Sequence, residues 1–330
     1  MDMKTSLLDL CSLFIENRDT VKAALSWDNS YIYPVCAAIF TDKRLRADSD
    51  RLKACRDLLK GETGPFSSFR GTAKLATISM LAADEEPETL LQRGLTVYQA
   101  LKAHFSGSQY LPVAAMILAN LTEPARYEEV SARTRAVYKL MKQEHPFLTG
   151  GEDSVFAALL ALSPLSDQEI VAETEACYER LKPAFHSGNA VQSLSHVLAL
   201  GEGGAGEKCD KTLALYDKLR DREYRYGVSY ELATLGSLAL LPGEPDELAD
   251  DTAQVADWLA EQKGYGVFGV GKKQRLMHAG MLVTSDRIGD AQRSAMGPAA
   301  LGAVVSLIAA QQAAICAAVA ASSAASASSS

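Results

Sequence analysis

The sequence predicts an all-α fold in which αα-hairpins follow one another in tandem. Three observations predict it. Runs alternating β-branched or aromatic residues with polar ones are almost absent, so strands have little to form from. Apolar residues recur instead at helical spacing nearly everywhere. Finally, a short helix rich in small residues keeps returning, each time ending in Leu-Ala or a near variant. Its members end at Leu81-Ala82, Leu118-Ala119, Leu160-Ala161, Leu198-Ala199, Leu238-Ala239 and Leu282-Val283, with a weaker one at Ile39-Phe40. Successive members lie roughly 37 to 44 residues apart, the period of helical-hairpin repeats.

Taken in order, the chain opens on an amphipathic helix. Leu7, Leu8, Leu10, Leu13 and Phe14 are interspersed with Asp2, Lys4 and Asp9, without the basic leader and unbroken apolar core of a signal peptide. After each small-residue helix comes a polar turn containing Asp, Pro or Gly, such as Thr122-Glu123-Pro124 or Pro242-Gly243-Glu244-Pro245. A longer amphipathic helix then closes on a recurring phrase. Its versions are Tyr98-Gln99-Ala100-Leu101-Lys102, Tyr138-Lys139-Leu140-Met141-Lys142, Tyr178-Glu179-Arg180-Leu181-Lys182 and Tyr216-Asp217-Lys218-Leu219-Arg220, with Trp258 in the tyrosine's place in the last. Small-residue helices can approach one another closely, as an inner row must. The charged helices have a polar face suited to the outside.

About six or seven such hairpins predict a closed α/α toroid, with an open α-solenoid as the alternative. Uneven repeat length and a distinct terminal helix favour closure. The expected organisation is one α/α-repeat domain over residues 1–321 and a flexible Ser/Ala-rich tail over 322–330. The run 298–321 has about the length of a membrane span. It is mostly alanine, however, and Gln311 and Gln312 near its middle would be costly in lipid. A helix packed on protein is the expected reading.

Composition narrows the function classes. The apolar fraction of 48%, the charged fraction of 22% and the net charge of −8 belong to an ordinary soluble globular chain. No block of five or more basic residues occurs, which argues against nucleic acid as a partner. Cys11, Cys36, Cys55, Cys177, Cys209 and Cys316 are scattered without a C-x-x-C pair, so reduced, buried thiols in a cytoplasm are expected. Serine nucleophile elbows and H-E-x-x-H are missing, and no cofactor motif is complete. The segment 264–272 contains a literal G-x-G-x-x-G ending in Gly271-Lys272. A helix precedes it where the dinucleotide fingerprint needs a strand, and no Ser/Thr follows as a P-loop needs. A backbone-exposing loop that meets an anion at a helix start is what remains.

Aligning the repeats aligns the starts of the inner helices. One column reads Tyr31, Ala73, Tyr110, Glu152, Ala190, Tyr230 and Gln274; the next reads Ile32, Lys74, Leu111, Asp153, Val191, Glu231 and Arg275. In a toroid these residues rim a central cavity, forming a polar and partly aromatic pocket suited to a small ligand. Acidic residues at helix starts are also explained as caps, although three tyrosines in one column are not. The segment 144–153 poses the same alternatives. Thr149 with Glu152 three residues on reads as a capping box for the following helix, and His145-Pro146 closes the preceding one. Alternatively, His145 with Asp153 forms an acid/base set. A metal held by His145, Glu152 and Asp153 is disfavoured, because adjacent helical residues point about 100° apart. His278 follows Arg275 by one turn and could face the same cavity. His196 and His104 read as packing or surface residues.

With these segments in hand, the chain resembles the DUF4003 family. The residues carrying the resemblance are Tyr138-Lys139-Leu140-Met141-Lys142, His145-Pro146-Phe147-Leu148-Thr149 with Glu152-Asp153, and Gly266-Val267-Phe268-Gly269, within a similarity from about residue 5 to residue 320. It implies a bacterial, cytoplasmic protein and supplies no reaction. The residues themselves predict binding of a small molecule or a protein partner in a central cavity or on a concave face, through Tyr110, His145, Glu152, Asp153, Tyr230, Glu231 and Arg275. The alternative is a toroid enzyme of lyase, cyclase or hydrolase type, with Asp153, Glu231 and His278 as acid/base candidates. No metal or cofactor is expected, and membrane association is disfavoured.

Overall fold

The structure, a computed structural model, describes residues 3–25, 32–71, 74–105, 108–266, 269–294, 308–313, 315 and 318–319. It is all-helical, with no strand among the described residues. Among the described residues these α-helices follow in order: α1 Thr5–Ala24, α2 Tyr33–Asp42, α3 Ser49–Glu62, α4 Lys74–Ala82, α5 Pro87–His104, α6 Leu111–Leu121, α7 Tyr127–Glu144, α8 Asp153–Leu160, α9 Asp167–Leu181, α10 Gly188–Leu200, α11 Ala205–Asp221, α12 Leu232–Ala239, α13 Pro245–Ala260 and α14 Lys272–Ser294. Residues 308–313 are helical as well. The expected tail at 322–330, most of the run 298–321, Cys316, Tyr31, Ala73, Val267 and Phe268 lie outside the described residues.

The chain divides into two compact units, an amino-terminal one of residues 13–167 with 318–330, and a carboxy-terminal one of residues 1–12 with 168–317. Within the amino-terminal unit the small-residue helices pack in a row, α2 on α4, α4 on α6 and α6 on α8, and the amphipathic helices pack as α3 on α5 and α5 on α7. Hairpin contacts join α3 to α4, α5 to α6 and α7 to α8. The carboxy-terminal unit repeats the scheme: α10 packs on α12 and α12 on α14, while α11 packs on α13.

The two kinds of helix follow from their residues. In α6 every position from Leu111 to Ala119 is buried, and α8 and α12 are buried over their full lengths. A helix apolar on all sides must be surrounded by protein. Each fully buried Leu or Ile there contributes about 1.5–3 kcal/mol, well above the roughly 0.7 kcal/mol at stake in helix propensity. In α7 the buried positions are Tyr127, Val130, Ser131, Thr134, Val137 and Met141, a single stripe. Glu128 and Glu129 lie in its first turn and Lys142 in its last, matching the helix dipole.

Two devices link successive hairpins. Three of the closing tyrosines, Tyr98, Tyr138 and Tyr216, meet a phenylalanine of the preceding hairpin's loop edge to face. Phe69–Tyr98, Phe105–Tyr138 and Phe185–Tyr216 have ring centroids 5.1, 5.2 and 5.2 Å apart. At the opposite turns, cations of the amphipathic helices reach forward to the carbonyls that end a small-residue helix. Arg51 donates to Ala82 O, Arg93 to Thr122 O, Arg133 to Ala161 O and Ser163 O, and Lys211 to Leu241 O. These carbonyls have no partner within their own helix, so each contact satisfies groups that burial would otherwise leave unpaired.

One expectation about the elements is corrected. The small-residue helix expected to end near Leu282-Val283 continues to Ser294 as part of the 23-residue α14. No Gly or Pro follows Val283 immediately, and Thr284, Ser285 and Asp286 are buried in the continuing helix.

Candidate functional site

The loop 145–152 of the amino-terminal unit is built from the end of α7. His145 is the C-cap, with φ −126° and ψ 70°, outside the helical region as a residue before proline favours. The chain folds back so that Thr149 N donates to His145 O at 3.0 Å and Thr149 Oγ1 donates to Met141 O at 3.1 Å. Thr149 therefore serves the end of α7. This corrects the expected capping box: the N-cap of α8 is Glu152, whose side chain makes no capping hydrogen bond. The residue that reaches back is Asp153, whose Oδ2 accepts from Gly150 N at 2.7 Å. Asp153 can do this because the Gly150-Gly151 turn brings that amide over the first helical turn.

The three carbonyls of the turn are each met by a side chain. Lys142 Nζ donates to Thr149 O at 3.0 Å, Tyr138 OH to Gly150 O at 3.0 Å, and Ser108 Oγ to Gly151 O at 3.1 Å. Ser154 Oγ adds a second donor to Gly151 O at 2.7 Å. The last two contacts join the entry of α6 to the entry of α8. Tyr110 is the N-cap of α6, and its ring lies 3.7 Å from where a Cβ on Gly151 would sit. Adjacent inner helices thus start side by side here, and Glu152 lies near enough to Tyr110 to act on it electrostatically.

The electrostatics are those of a polar junction with a buried carboxyl at its centre and half-exposed groups around it. Asp153 is 3% exposed, and its carboxyl is pushed from the ordinary 3.8 to about 7. Burial is the main cause; Glu152 adds to it, while the Gly150 amide and Lys142 oppose it. Tyr110 and Tyr138 are both raised, first by burial and then by carboxyl neighbours, Glu152 for Tyr110 and Asp153 for Tyr138. A carboxyl poised near neutrality can hold or release a proton at physiological pH.

In the carboxy-terminal unit the entries of α12 and α14 meet in the same manner. Gln274 Nε2 donates to Tyr230 OH at 2.6 Å. Glu231, the N-cap of α12, is 5% exposed and folds back on its own loop, where its Oε2 accepts from Ser229 N at 3.1 Å. The buried Tyr226 pairs its hydroxyl with Thr234 Oγ1 at 2.6 Å. His278 is buried, and its Nδ1 lies 2.8 Å from Tyr265 OH. Arg275 is half-buried, with its Nε shielded from solvent and unbonded among the described residues. It acts electrostatically on Tyr224, whose hydroxyl donates to Asp257 Oδ2 at 2.7 Å.

Sequence reasoning found the helix-start residues and missed their partners, namely Tyr138 and Lys142 on α7, Ser108 before α6, and Tyr226 and Tyr265 in the later loops. The signal for Tyr138 and Lys142 was present in their i, i+4 spacing, which puts both on one face at the end of α7. The loop tyrosines carried no periodic signal. Among the described residues, no group of three or more His, Cys, Asp or Glu side chains is arranged to hold a metal ion. No helix among them is long and apolar enough to cross a membrane.

These features define an all-helical protein of packed αα-hairpins whose polar and aromatic residues gather where inner helices begin. The chain belongs to the family described as "Protein of unknown function (DUF4003)", which matches residues 17–313. It is also similar to "Uncharacterized protein YeaA" of Bacillus subtilis (strain 168), with 26% identity over 194 residues. That match covers 57% of this chain and 58% of the relative, under two-thirds of the relative's length. No solved structure matches the chain.

Proposed function

We propose that this is a cytoplasmic α/α-repeat protein that binds a small ligand or partner at the ends where its inner helices start. One observation carries the reading. The junction of α6, α7 and α8 gathers Tyr110, Tyr138, Glu152 and a buried Asp153 whose carboxyl lies near neutrality. A purely structural cap needs neither Tyr110 beside it nor a carboxyl poised at about 7. Tyr230, Glu231 and Arg275 are the corresponding ligand contacts in the carboxy-terminal unit, and His145 borders the first junction. The buried thiols of Cys11, Cys36, Cys55, Cys177 and Cys209, none of them in a disulfide among the described residues, support a reducing compartment. For the hairpins as a whole we propose one repeat domain over residues 1–321, closed into a toroid, on the strength of the sequence repeat. A small-angle scattering profile of an elongated, open superhelix would exclude closure.

The same carboxyl supports a second reading, an enzyme in which Asp153 transfers a proton. A thermal-shift and native mass spectrometry screen against sugars, nucleotides, isoprenoid phosphates and metals tests both. A hit whose stabilisation disappears in Asp153→Ala and Arg275→Ala supports the assignment, and turnover of that hit by the unsubstituted protein supports the enzyme. Equal shifts in all three proteins reject these site residues.

A further inference from the structure

We propose that α7 carries an anion-binding cleft that accepts one phosphate group; it shares Tyr138 and Lys142 with the edge of the junction described above but does not rest on the ligand reading of that junction. Arg135, Tyr138, Lys139, Lys142 and Gln143 line a cleft of about 170 Å³. The three cations stand at i, i+4 and i+7 of one helix, which places them along one face. Two of them are held in position. The Arg135 guanidinium lies 5.1 Å from the Phe105 ring centroid and 5.6 Å from that of Tyr138, within cation–π range. Lys142 is anchored by its bond to Thr149 O, which leaves two of its ammonium protons for another acceptor.

The plainer account is that cations near a helix end complement the dipole. That account covers Lys142, which lies in the last turn of α7, but not Arg135 or Lys139, because the effect fades within that turn. Neither of these two, nor Lys142, forms an ion pair among the described residues, although carboxylates outnumber cations in the chain as a whole. Glu152 and Asp153 are the carboxyls that act on Tyr138, and Asp153 is the one that feels Lys142. Three like charges along one face, none in an ion pair among the described residues, raise the local positive potential and favour an anion there. The size of the cleft decides which. At about 170 Å³ it is well above the roughly 10–15 Å³ that a single water needs and has room for a phosphate group. It falls below the roughly 300 Å³ at which pockets for drug-sized ligands begin, so a whole nucleotide does not fit inside it.

The test is thermal unfolding of the full chain in inorganic phosphate titrated against chloride at equal ionic strength, which removes general screening. Phosphate should raise the Tm in a saturable way. Lys139 is exposed, so Lys139→Glu should unfold like the parent in chloride while losing at least tenfold in apparent phosphate affinity. Arg135→Gln should lose the response as well, and Asp153→Asn should keep it. Absence of a phosphate-specific shift in the parent, or a full shift in Lys139→Glu, overturns the proposal. Sedimentation with phosphatidic acid vesicles, against phosphatidylcholine alone, identifies the source of the phosphate. Pelleting that Lys139→Glu abolishes assigns a lipid headgroup, and a phosphate response without pelleting assigns a free ligand.

Discussion

Phe105 and Tyr138 meet edge to face with ring centroids 5.2 Å apart, joining the loop after α5 to the last turns of α7. The same contact recurs as Phe69–Tyr98 and Phe185–Tyr216. At Tyr98, Tyr138 and Tyr216 the tyrosine that punctuates the sequence repeat is therefore half of a clasp between neighbouring hairpins, and the phenylalanine is the other half.

The first prediction follows from this clasp. Phe105 is buried, and Phe105→Ala should lower unfolding stability by about 3–4 kcal/mol through lost burial and a residual cavity. Phe147 is 97% exposed, so Phe147→Ser should change stability by no more than about 0.5 kcal/mol. Urea unfolding of the two variants checks the contrast. Equal losses would show that the clasp contributes nothing of its own.

Arg133 provides the second. Its guanidinium donates to Ala161 O at 2.9 Å, Ser163 O at 2.8 Å and Leu165 O, and pairs with Asp167 at 3.0 Å. Arg133→Met keeps most of the stem's packing but strands those carbonyls and the carboxylate. We expect a loss of about 2–3 kcal/mol, read by chemical denaturation. A neutral result would mean that water replaces the guanidinium at no cost.

Asp153 makes a pH prediction. Its folded pKa of about 7 is above the ordinary 3.8, so between those values the folded state keeps a proton that the unfolded state has lost. The stability this confers is complete below about pH 4, falls as pH rises, and is gone above about pH 7, a span of order 2–4 kcal/mol. Asp153→Asn can still accept from the Gly150 amide but carries no charge. It should unfold at higher temperature than the parent at pH 8, and the difference should narrow towards pH 5. Parallel Tm–pH curves for the two proteins would refute the assignment.

Gly269 makes the fourth. A Cβ at this position would lie 2.0 Å from Gly264 O, a backbone atom that cannot rotate away. The bond from Val270 N to that same oxygen, 2.8 Å long, fixes the turn. Gly269→Ala should therefore destabilise by about 2 kcal/mol or more, whereas Gly271→Ala, with open space around it, should be nearly silent.

Much of this architecture was legible in the chain, because burial imposes periodicity. Leu111 through Ala119 read as an inner helix since no polar residue interrupts them, and the spacing of Val130, Thr134, Val137 and Met141 marks the stripe of an outer one. Recurring Leu-Ala endings and Tyr-x-x-Leu-Lys phrases set the period. The columns of inner-helix starts were legible for the same reason, and the contacts of Ser108 with Gly151 and of Tyr230 with Gln274 confirm that neighbouring starts adjoin.

What only the tertiary structure decided is which group each polar side chain serves. Thr149 and Glu152 have the spacing of a capping box, yet Thr149 caps the carbonyl end of α7 and Asp153 turns back to Gly150. Arg51, Arg93 and Arg133 look like solvated charges on an outer face, and they satisfy carbonyls about thirty residues further along the chain. A hydrophobic stripe is written in the chain because burying it depends on a local period. A hydrogen bond depends on which unpaired donor and acceptor the packing brings within 3 Å, and no period in this sequence records that.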